Sequence, residues 1–280
     1  MIIKEVERTQ KYIKRFLVSC DFKLSNNCKN QYVVNQHSLR ENLKINNDKI
    51  ICLSCSRLLK SRTNGNCKYK FDTNFFKKID TQEKAYLLGW IASDGNIRKT
   101  QISIFINKKD EEILYKLKKI ICNDLPITKR KDNNYGIVIS SKQIVNDVCK
   151  LLKIDAGKKC FSVSFPDIRD EFKISFLRGL WDGDGWVSKK SAKNFETGIR
   201  MNSIYMITYI SNFLKEKINI KHGCYKTIDG GMVIKFGYSN GIKFLDALYN
   251  DDFLFLKRKF NNYIWWKNNY KAKVNKKTIP

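Results

Sequence analysis

No apolar run in the chain approaches the roughly 18 residues that a membrane-crossing helix needs, so no transmembrane span is expected. The first residues, Met1-Ile2-Ile3-Lys4-Glu5-Val6-Glu7-Arg8, lack the hydrophobic stretch of a secretory signal, and an intracellular protein is expected. Acidic residues are scarce, with 27 Asp and Glu against 54 Lys and Arg in 280 residues and a formal net charge of +27. Such self-repulsion costs folding energy unless a polyanion relieves it, which points first to nucleic acid, although ribosomal and membrane-surface proteins can be as basic. The nine cysteines are an odd number, which fits a complete disulfide framework poorly; in a reducing compartment they read as buried thiols or metal ligands. No splice residues of the Cys and His-Asn kind flank the chain between Met1 and Pro280, so an intein is not expected.

What the chain does contain is enough apolar residue, 42%, for a real core in one large domain or two to three small ones. It also contains a repeated pattern. Ser175-Phe176-Leu177-Arg178-Gly179-Leu180-Trp181-Asp182-Gly183-Asp184-Gly185 is preceded ninety residues earlier by Ala85-Tyr86-Leu87-Leu88-Gly89-Trp90-Ile91-Ala92-Ser93-Asp94-Gly95. Small residues recur at every fourth position in both: Ala85, Gly89 and Ser93, then Ser175, Gly179 and Gly183. On a helix that period makes one stripe without bulk, along which two helices can approach closely. The Asp-Gly ending predicts that Asp94 and Asp184 sit at helix C-termini, with the glycine as the cap. There each carboxylate meets the negative end of the helix dipole and the other carboxylate, an arrangement that a cation relieves.

These two stretches resemble the motif of the LAGLIDADG homing endonucleases, the second closely and the first more loosely, with Ala92-Ser93 where the family often has Asp-Gly. The resemblance spans about residues 70 to 265 and is to single-chain members with two motifs. It implies an α+β fold of two pseudo-symmetric αββαββα halves with curved antiparallel sheets, working as a monomer on double-stranded DNA with a long, pseudo-palindromic target. It also implies site-specific cleavage, with one of Asp94 and Asp184 serving each strand. Oxygen-only ligation favours Mg²⁺ over zinc there, with the backbone carbonyls of Ser93 and Gly183 completing the shell. The family places basic residues near the site, and Lys142 and Lys243 look most similar to them; Lys129 and Lys226, in matching hairpin strands, are rivals.

Residues 1–70 read as a separate Cys-rich, zinc-finger-like module with a basic connector, 71–160 as the first half, and 161–280 as the second half with a basic aromatic tail. In the first segment Cys20, Cys28, Cys52 and Cys55 are candidate Zn²⁺ ligands, because Cys52-Leu53-Ser54-Cys55 has knuckle spacing and the segment has little core of its own. Ordinary buried thiols are the alternative, and His37 or Cys67 could substitute for a ligand. Arg57, Lys60, Arg62, Lys68 and Lys70 around Gly65 make a basic connector suited to phosphates or simply a solvated linker.

Each half then reads as helix, two strands, helix, two strands, helix. Asp80-Thr81-Gln82-Glu83 is a capping-box-like start to the first motif helix, and Pro166-Asp167 is the expected start of the second. Ile102, Ile104 and Ile106 alternate with Gln101, Ser103 and Phe105. One sheet face should pack on helices and the other enter the major groove, with Gln101, Ser103, Lys129, Lys131, Arg200, Asn202, Lys226 and Lys235 as candidate DNA contacts. Alternation sets parity but leaves open which face is which. After Asp252 no acidic residue remains, and lysines interleave with Phe260, Tyr263, Trp265, Trp266 and Tyr270; docking up to Trp266 and a mobile basic end are expected. Two other functions fit the same sequence: a maturase-like protein bound to intron RNA, and a DNA-binding regulator that no longer cleaves.

Overall fold

The structure, a computed structural model, describes residues 2–6, 15–23, 28, 30–56, 69, 71–130, 132–157, 159, 161–190, 194–251 and 253–277. The chain forms two compact units, Met1–Lys68 and Tyr69–Pro280.

The larger unit is built around two helices, α2 (Gln82–Ser93) and α5 (Asp170–Asp184). Every residue of α2 from Ala85 to Ala92 is buried, as is every residue of α5 from Ser175 to Asp182. A helix covered on all sides belongs to the interior, and these two cover each other. The small-residue stripes are the contact. A Cβ added at Gly89 would lie 2.2 Å from the Phe176 carbonyl oxygen, and one at Gly179 would lie 2.1 Å from that of Tyr86. Backbone therefore touches backbone, and any larger side chain must push the helices apart. Gly179→Ala should lower the melting temperature by roughly 10 °C, corresponding to about 3 kcal/mol of overpacking in a unit of this size. Gly223→Ala, whose Cβ would meet nothing nearer than the Lys235 carbonyl at 3.7 Å, should leave the thermal melt nearly unchanged.

Around this pair the chain runs twice through one order. After α2 come β4 (Gly95–Ile97), β5 (Ile102–Asn107), α3 (Glu112–Ile121), β6 (Thr128–Lys129), β7 (Asn134–Ile139) and α4 (Lys142–Leu152). After α5 come β8 (Gly185–Val187), β9 (Thr197–Met201), α6 (Ile204–Glu216), β10 (Gly223–Lys226), β11 (Met232–Phe236) and α7 (Tyr238–Leu248). Both sheets are antiparallel, with orders β4-β5-β7-β6 and β8-β9-β11-β10. This is the expected α+β architecture of two αββαββα halves. The halves are tied by α8 (Lys257–Lys277): Arg258 grips Asp110 of the first half through Nε–Oδ1 at 2.9 Å and a second bond at 2.8 Å. Such a two-pronged pair fixes orientation as well as charge.

One local expectation is corrected and two are refined. The second motif helix starts at Asp170, not at Pro166, because Phe165 is buried against Phe176 (4.7 Å between centroids) and Tyr209 (4.3 Å), holding the preceding segment extended. Asp170 and Glu171 then favour the helix N-terminus by charge. Gly185 does not cap α5 in a left-handed turn, since its φ is −77°; a Cβ there would strike the Trp181 indole at 2.4 Å, so crowding selects glycine. The terminal helix continues past Trp266 to Lys277, with Tyr263 and Trp266 buried and the Trp266 indole donating to the Ser188 carbonyl at 3.1 Å.

The smaller unit holds structure not foreseen from its sequence: β1 (Ile2–Val6), β2 (Arg15–Ser19) and β3 (Gln31–Asn35) form an antiparallel sheet, followed by α1 (Gln36–Ile45). The Asn35 side chain caps α1, accepting from the Ser38 N–H at 2.7 Å. Val18, Leu39 and Ile50 are its buried apolar core, with Phe16, Tyr32, Val34 and Leu43 around them. So small a core leaves the unit in need of another fastening.

Candidate active site and metal centres

Because α2 and α5 are in backbone contact, their C-terminal ends meet, and Asp94 and Asp184 come together beside Ser93 and Gly183. A Cβ on Gly183 would lie 3.1 Å from an Asp94 carboxylate oxygen. Burial pushes the Asp94 carboxyl above the usual carboxylate range, against the pull of Lys159 and Lys259. Asp184 is pushed up to about 6, by burial first and then by the charge of Asp94, again opposed by the two lysines. Among the described residues neither carboxylate receives a hydrogen bond. The nearby Asp182 contrasts with them. It is fully buried and accepts from Tyr86 Oη at 2.7 Å, Tyr249 Oη at 2.9 Å and the Leu256 N–H at 2.9 Å, so its oxygens are committed to the core. A cavity of about 480 Å³ opens beside Asp184, lined by Ala92, Ser93, Lys159, Asp184, Arg200 and Asn202 among others.

The lysines at this site are not those expected from the sequence. Lys142 opens α4 and Lys243 lies in α7; both are exposed, and neither is among the charges that act on Asp94 or Asp184. Their place is taken by Lys159, which follows α4, and Lys259, in the first turn of α8. Lys159 Nζ donates to the carbonyls of Ile91 (3.2 Å) and Ser93, at the end of α2. Lys259 Nζ donates to the carbonyls of Trp181 (2.8 Å), Asp182 (2.7 Å), Gly183 (3.1 Å) and Gly185, at the end of α5. Each ammonium thus satisfies the last carbonyls of one motif helix and sits at the negative end of its dipole. Burial pulls Lys259 down to about 8, with Asp182, Asp94 and Asp184 pulling it back up. The Ser93 and Gly183 carbonyls, expected as metal ligands, each accept from a lysine here, which leaves a second lone pair on each oxygen. No local signal marks these two lysines among 54 basic residues.

Strand register settles which sheet face is which. Ile102, Ile104 and Ile106 are buried and share a face with Ile137, Ile139 and Tyr135, so Asn96, Gln101, Ser103, Phe105 and Thr128 take the opposite, outer face. Lys129 pairs with Tyr135 and therefore has core-face parity, although it is exposed at the sheet edge. Lys226 pairs with Met232 and matches it in the second sheet. Ser103 has outer parity but is only 6% exposed, between its ladder partners Asn96 and Val138, so it is withdrawn as a contact. Arg200 and Lys235 do lie on the outer face of the second sheet, with Trp186 and Tyr225. Arg200 is ion-paired with Asp229, and Lys235 with Glu196. Asn202 continues that face at the cavity rim. Lys131 lies outside the described residues, as do Cys67 and the basic connector at 57–68 and 70. The Arg130 guanidinium stacks 3.4 Å above the Phe105 ring, a contact missed in the sequence.

In the smaller unit the four sulfurs of Cys20, Cys28, Cys52 and Cys55 lie within 4.8 Å of one another. Cys28 and Cys52 Sγ are 3.6 Å apart, far too long for a disulfide. A tetrahedral zinc with Zn–S bonds of about 2.3 Å sets its sulfurs roughly 3.8 Å apart, which this cluster matches. The Cys52 N–H points at Cys20 Sγ (3.3 Å) and the Cys55 N–H at Cys52 Sγ (3.4 Å), the donors that a thiolate needs. Burial raises the Cys20 thiol, but N–H groups of Cys52, Lys23 and Phe22 outweigh it and bring it down to about 7. His37 is exposed on α1 and is not part of the cluster.

Two αββαββα halves meet through paired motif helices that end in carboxylates, an arrangement that resembles the LAGLIDADG homing endonuclease fold. Residues 171–241, within the second half, match the family model described as LAGLIDADG-like domain. A curated relative, the uncharacterised protein MJ1054 of Methanocaldococcus jannaschii, is 32% identical over 133 residues. The match takes in 43% of this chain and spans only 14% of that relative's length. Among solved structures, I-DmoI in complex with DNA and Mn is similar with a TM-score of 0.47 and 18% identity, over 61% of this chain and 98% of that one. I-SmaMI bound to cleaved DNA has a TM-score of 0.48 and 13% identity, over 72% and 93%. No helix among the described residues is long and apolar enough to cross a membrane.

Proposed function

We propose that the chain is a site-specific endonuclease of double-stranded DNA in which Asp94 and Asp184 hold Mg²⁺. The observation that carries this is the meeting of two carboxylates without hydrogen-bond donors at the ends of the helix pair, Asp184 partly buried and Asp94 exposed, where the charge of Asp94 raises the pKa of Asp184. The donors are all oxygen, and both the mutual repulsion and the lack of donors are relieved by a hard divalent cation, so the residues fit the metal. Once bound, such a metal supplies an activated water and neutralises charge on the phosphate. Asp94 and Asp184 come one from each half, which suits one carboxylate to each strand. Lys159 and Lys259, held on the carbonyls that end the two motif helices, keep positive charge beside the phosphate. The outer sheet faces supply Asn96, Gln101, Arg200, Asn202 and Lys235 for base edges and phosphates. Arg200 and Lys235 exchange their carboxylate partners for DNA. In the smaller unit, Cys20, Cys28, Cys52 and Cys55 hold a structural Zn²⁺.

The test is to incubate the protein with a randomised duplex library and Mg²⁺ and to sequence the cut ends. One recurring sequence, cut on both strands, is expected; a library that is bound but never cut, with Mg²⁺ or Mn²⁺, would make the chain a non-cleaving regulator. On the selected site, single-turnover cleavage should fall as pH drops through about 6, because protonated Asp184 cannot ligate a metal. Well below that midpoint the loss should be about tenfold per pH unit. More Mg²⁺ should move the midpoint to lower pH, since metal and proton compete for the same carboxylate.

A further inference from the structure

The outer face of the first sheet carries a stack that the nuclease chemistry does not use. Phe105 on β5 faces Gly136 on β7, and Gly136 in turn faces Thr128 on β6. A Cβ on Gly136 would lie 2.5 Å from Phe105 Cδ1, so the ring lies down over the glycine, in space that any other side chain would fill. One outer-face row away, Asn107 faces Asn134, whose carbonyl accepts from the Arg130 N–H at 2.8 Å. Arg130 therefore starts just past the edge strand and leans back across β7, which brings its Cζ to 3.4 Å from the centroid of the Phe105 ring. Cation–π attraction at that distance holds a long side chain that would otherwise sample many rotamers. Nothing described cancels its charge. Among the described residues Arg169, Arg178, Arg200 and Arg258 are each ion-paired, whereas Arg130 has no carboxylate partner; the acid nearest in the chain, Asp132, accepts from Asn134 Nδ2 at 2.7 Å.

We infer that Arg130 reads a guanine in the major groove of the half-site met by the first half, with Phe105 and Gly136 as its positioning residues. The guanidinium is a planar fork of N–H donors, and guanine alone presents two adjacent acceptors, O6 and N7, at that edge; adenine has a donor beside N7, and neither pyrimidine offers such a pair. The fork ends over the inner strands of the sheet rather than at its rim, which places it over the floor of a groove that the sheet enters and not beside a phosphate backbone. The second half is built differently: Arg200, on its outer face, is held by Asp229 and must release that carboxylate before it can meet a base. The inference rests on the proposal that the chain acts on DNA, and it assigns one base of the target to one residue, so it can fail while cleavage stands.

The test selects sites from a randomised duplex library by binding alone, using the full-length wild type and Arg130→Lys, Arg130→Gln and Phe105→Leu variants whose folding is checked by circular dichroism. Wild type should select a guanine at one fixed position. Arg130→Lys and Arg130→Gln should each lose roughly tenfold to a hundredfold of discrimination at that position and at no other. Lysine keeps the charge without the fork, so Arg130→Lys should bind with the salt slope of wild type. Phe105→Leu keeps an apolar side chain and removes the ring, and it should relax the same position more mildly. A wild-type selection without a fixed guanine would overturn the inference, as would an Arg130→Lys profile identical with that of wild type. So would an Arg130→Gln variant that binds all sequences more weakly alike, with a slope shallower by about one unit, the signature of a phosphate contact. A chain that selects the guanine through Arg130 and never cuts would leave the inference standing and remove only the nuclease proposal.

Discussion

Asp184→Asn and Asp94→Asn should each lower Mg²⁺-dependent double-strand cleavage by on the order of 10³-fold or more, equivalent to about 4 kcal/mol of barrier, while binding of the selected DNA is retained. Asn keeps the shape of the side chain and removes its charge, and neither carboxylate has a hydrogen-bond partner among the described residues that the exchange would disturb. Where the strands are served unequally, one of the two should leave a nicking activity. A readout independent of activity follows from the same electrostatics. The folded-state pKa of Asp184 lies near 6, above its unfolded value, so the metal-free protein is favoured while the group is protonated and loses stability as pH rises towards 6. Above that pH the charged group costs on the order of 2 to 3 kcal/mol. Metal-free Asp184→Asn should therefore melt several degrees above wild type at pH 8 and alike at pH 4. Mg²⁺ should raise the melting temperature of wild type and not of the variant. Calorimetry with and without chelator reads both effects, and a variant that melts lower than wild type at pH 8 would contradict them.

Cys52→Ser combined with Cys55→Ser should abolish binding of one zinc ion per chain and unfold the smaller unit. The apolar core there is small, and a structural zinc contributes about 10 to 16 kcal/mol of apparent binding energy, more than so small a unit can supply otherwise. Native mass spectrometry should find one zinc in wild type and none in the variant. Limited proteolysis should open residues 1–68 and spare the unit that begins at Tyr69, which has its own core. Freshly purified wild type without metal, or a variant that keeps its zinc, would contradict this account of the cysteines.

The fold was legible wherever one physical requirement writes itself directly into residue type. Backbone contact between α2 and α5 tolerates only small residues every fourth position, and Gly89 and Gly179 carry that requirement in plain view. The Cys52-Cys55 spacing is visible for the same reason. Features made by distant partners left no such trace. Three short strands before α1 acquire their identity only by pairing, as when Leu17 meets Val33 across the sheet. Lys159 and Lys259 are distinguished by the carbonyls they reach, at 66 to 68 and 74 to 78 residues' separation, and in a chain this basic no composition signal singles them out. Sheet parity could be counted from sequence but needed the register to be anchored: once Lys129 is paired with Tyr135, it and Lys226 leave the outer face, and Phe105 with Arg130 joins it.

The most direct measurement is anomalous diffraction from crystals of the protein with its selected DNA and Mn²⁺. A peak within about 2.2 Å of carboxylate oxygens of Asp94 and Asp184, beside the phosphates to be cut, is the expected result. Ordered DNA with no peak at the pair, or manganese bound only elsewhere while cleavage proceeds, would contradict it.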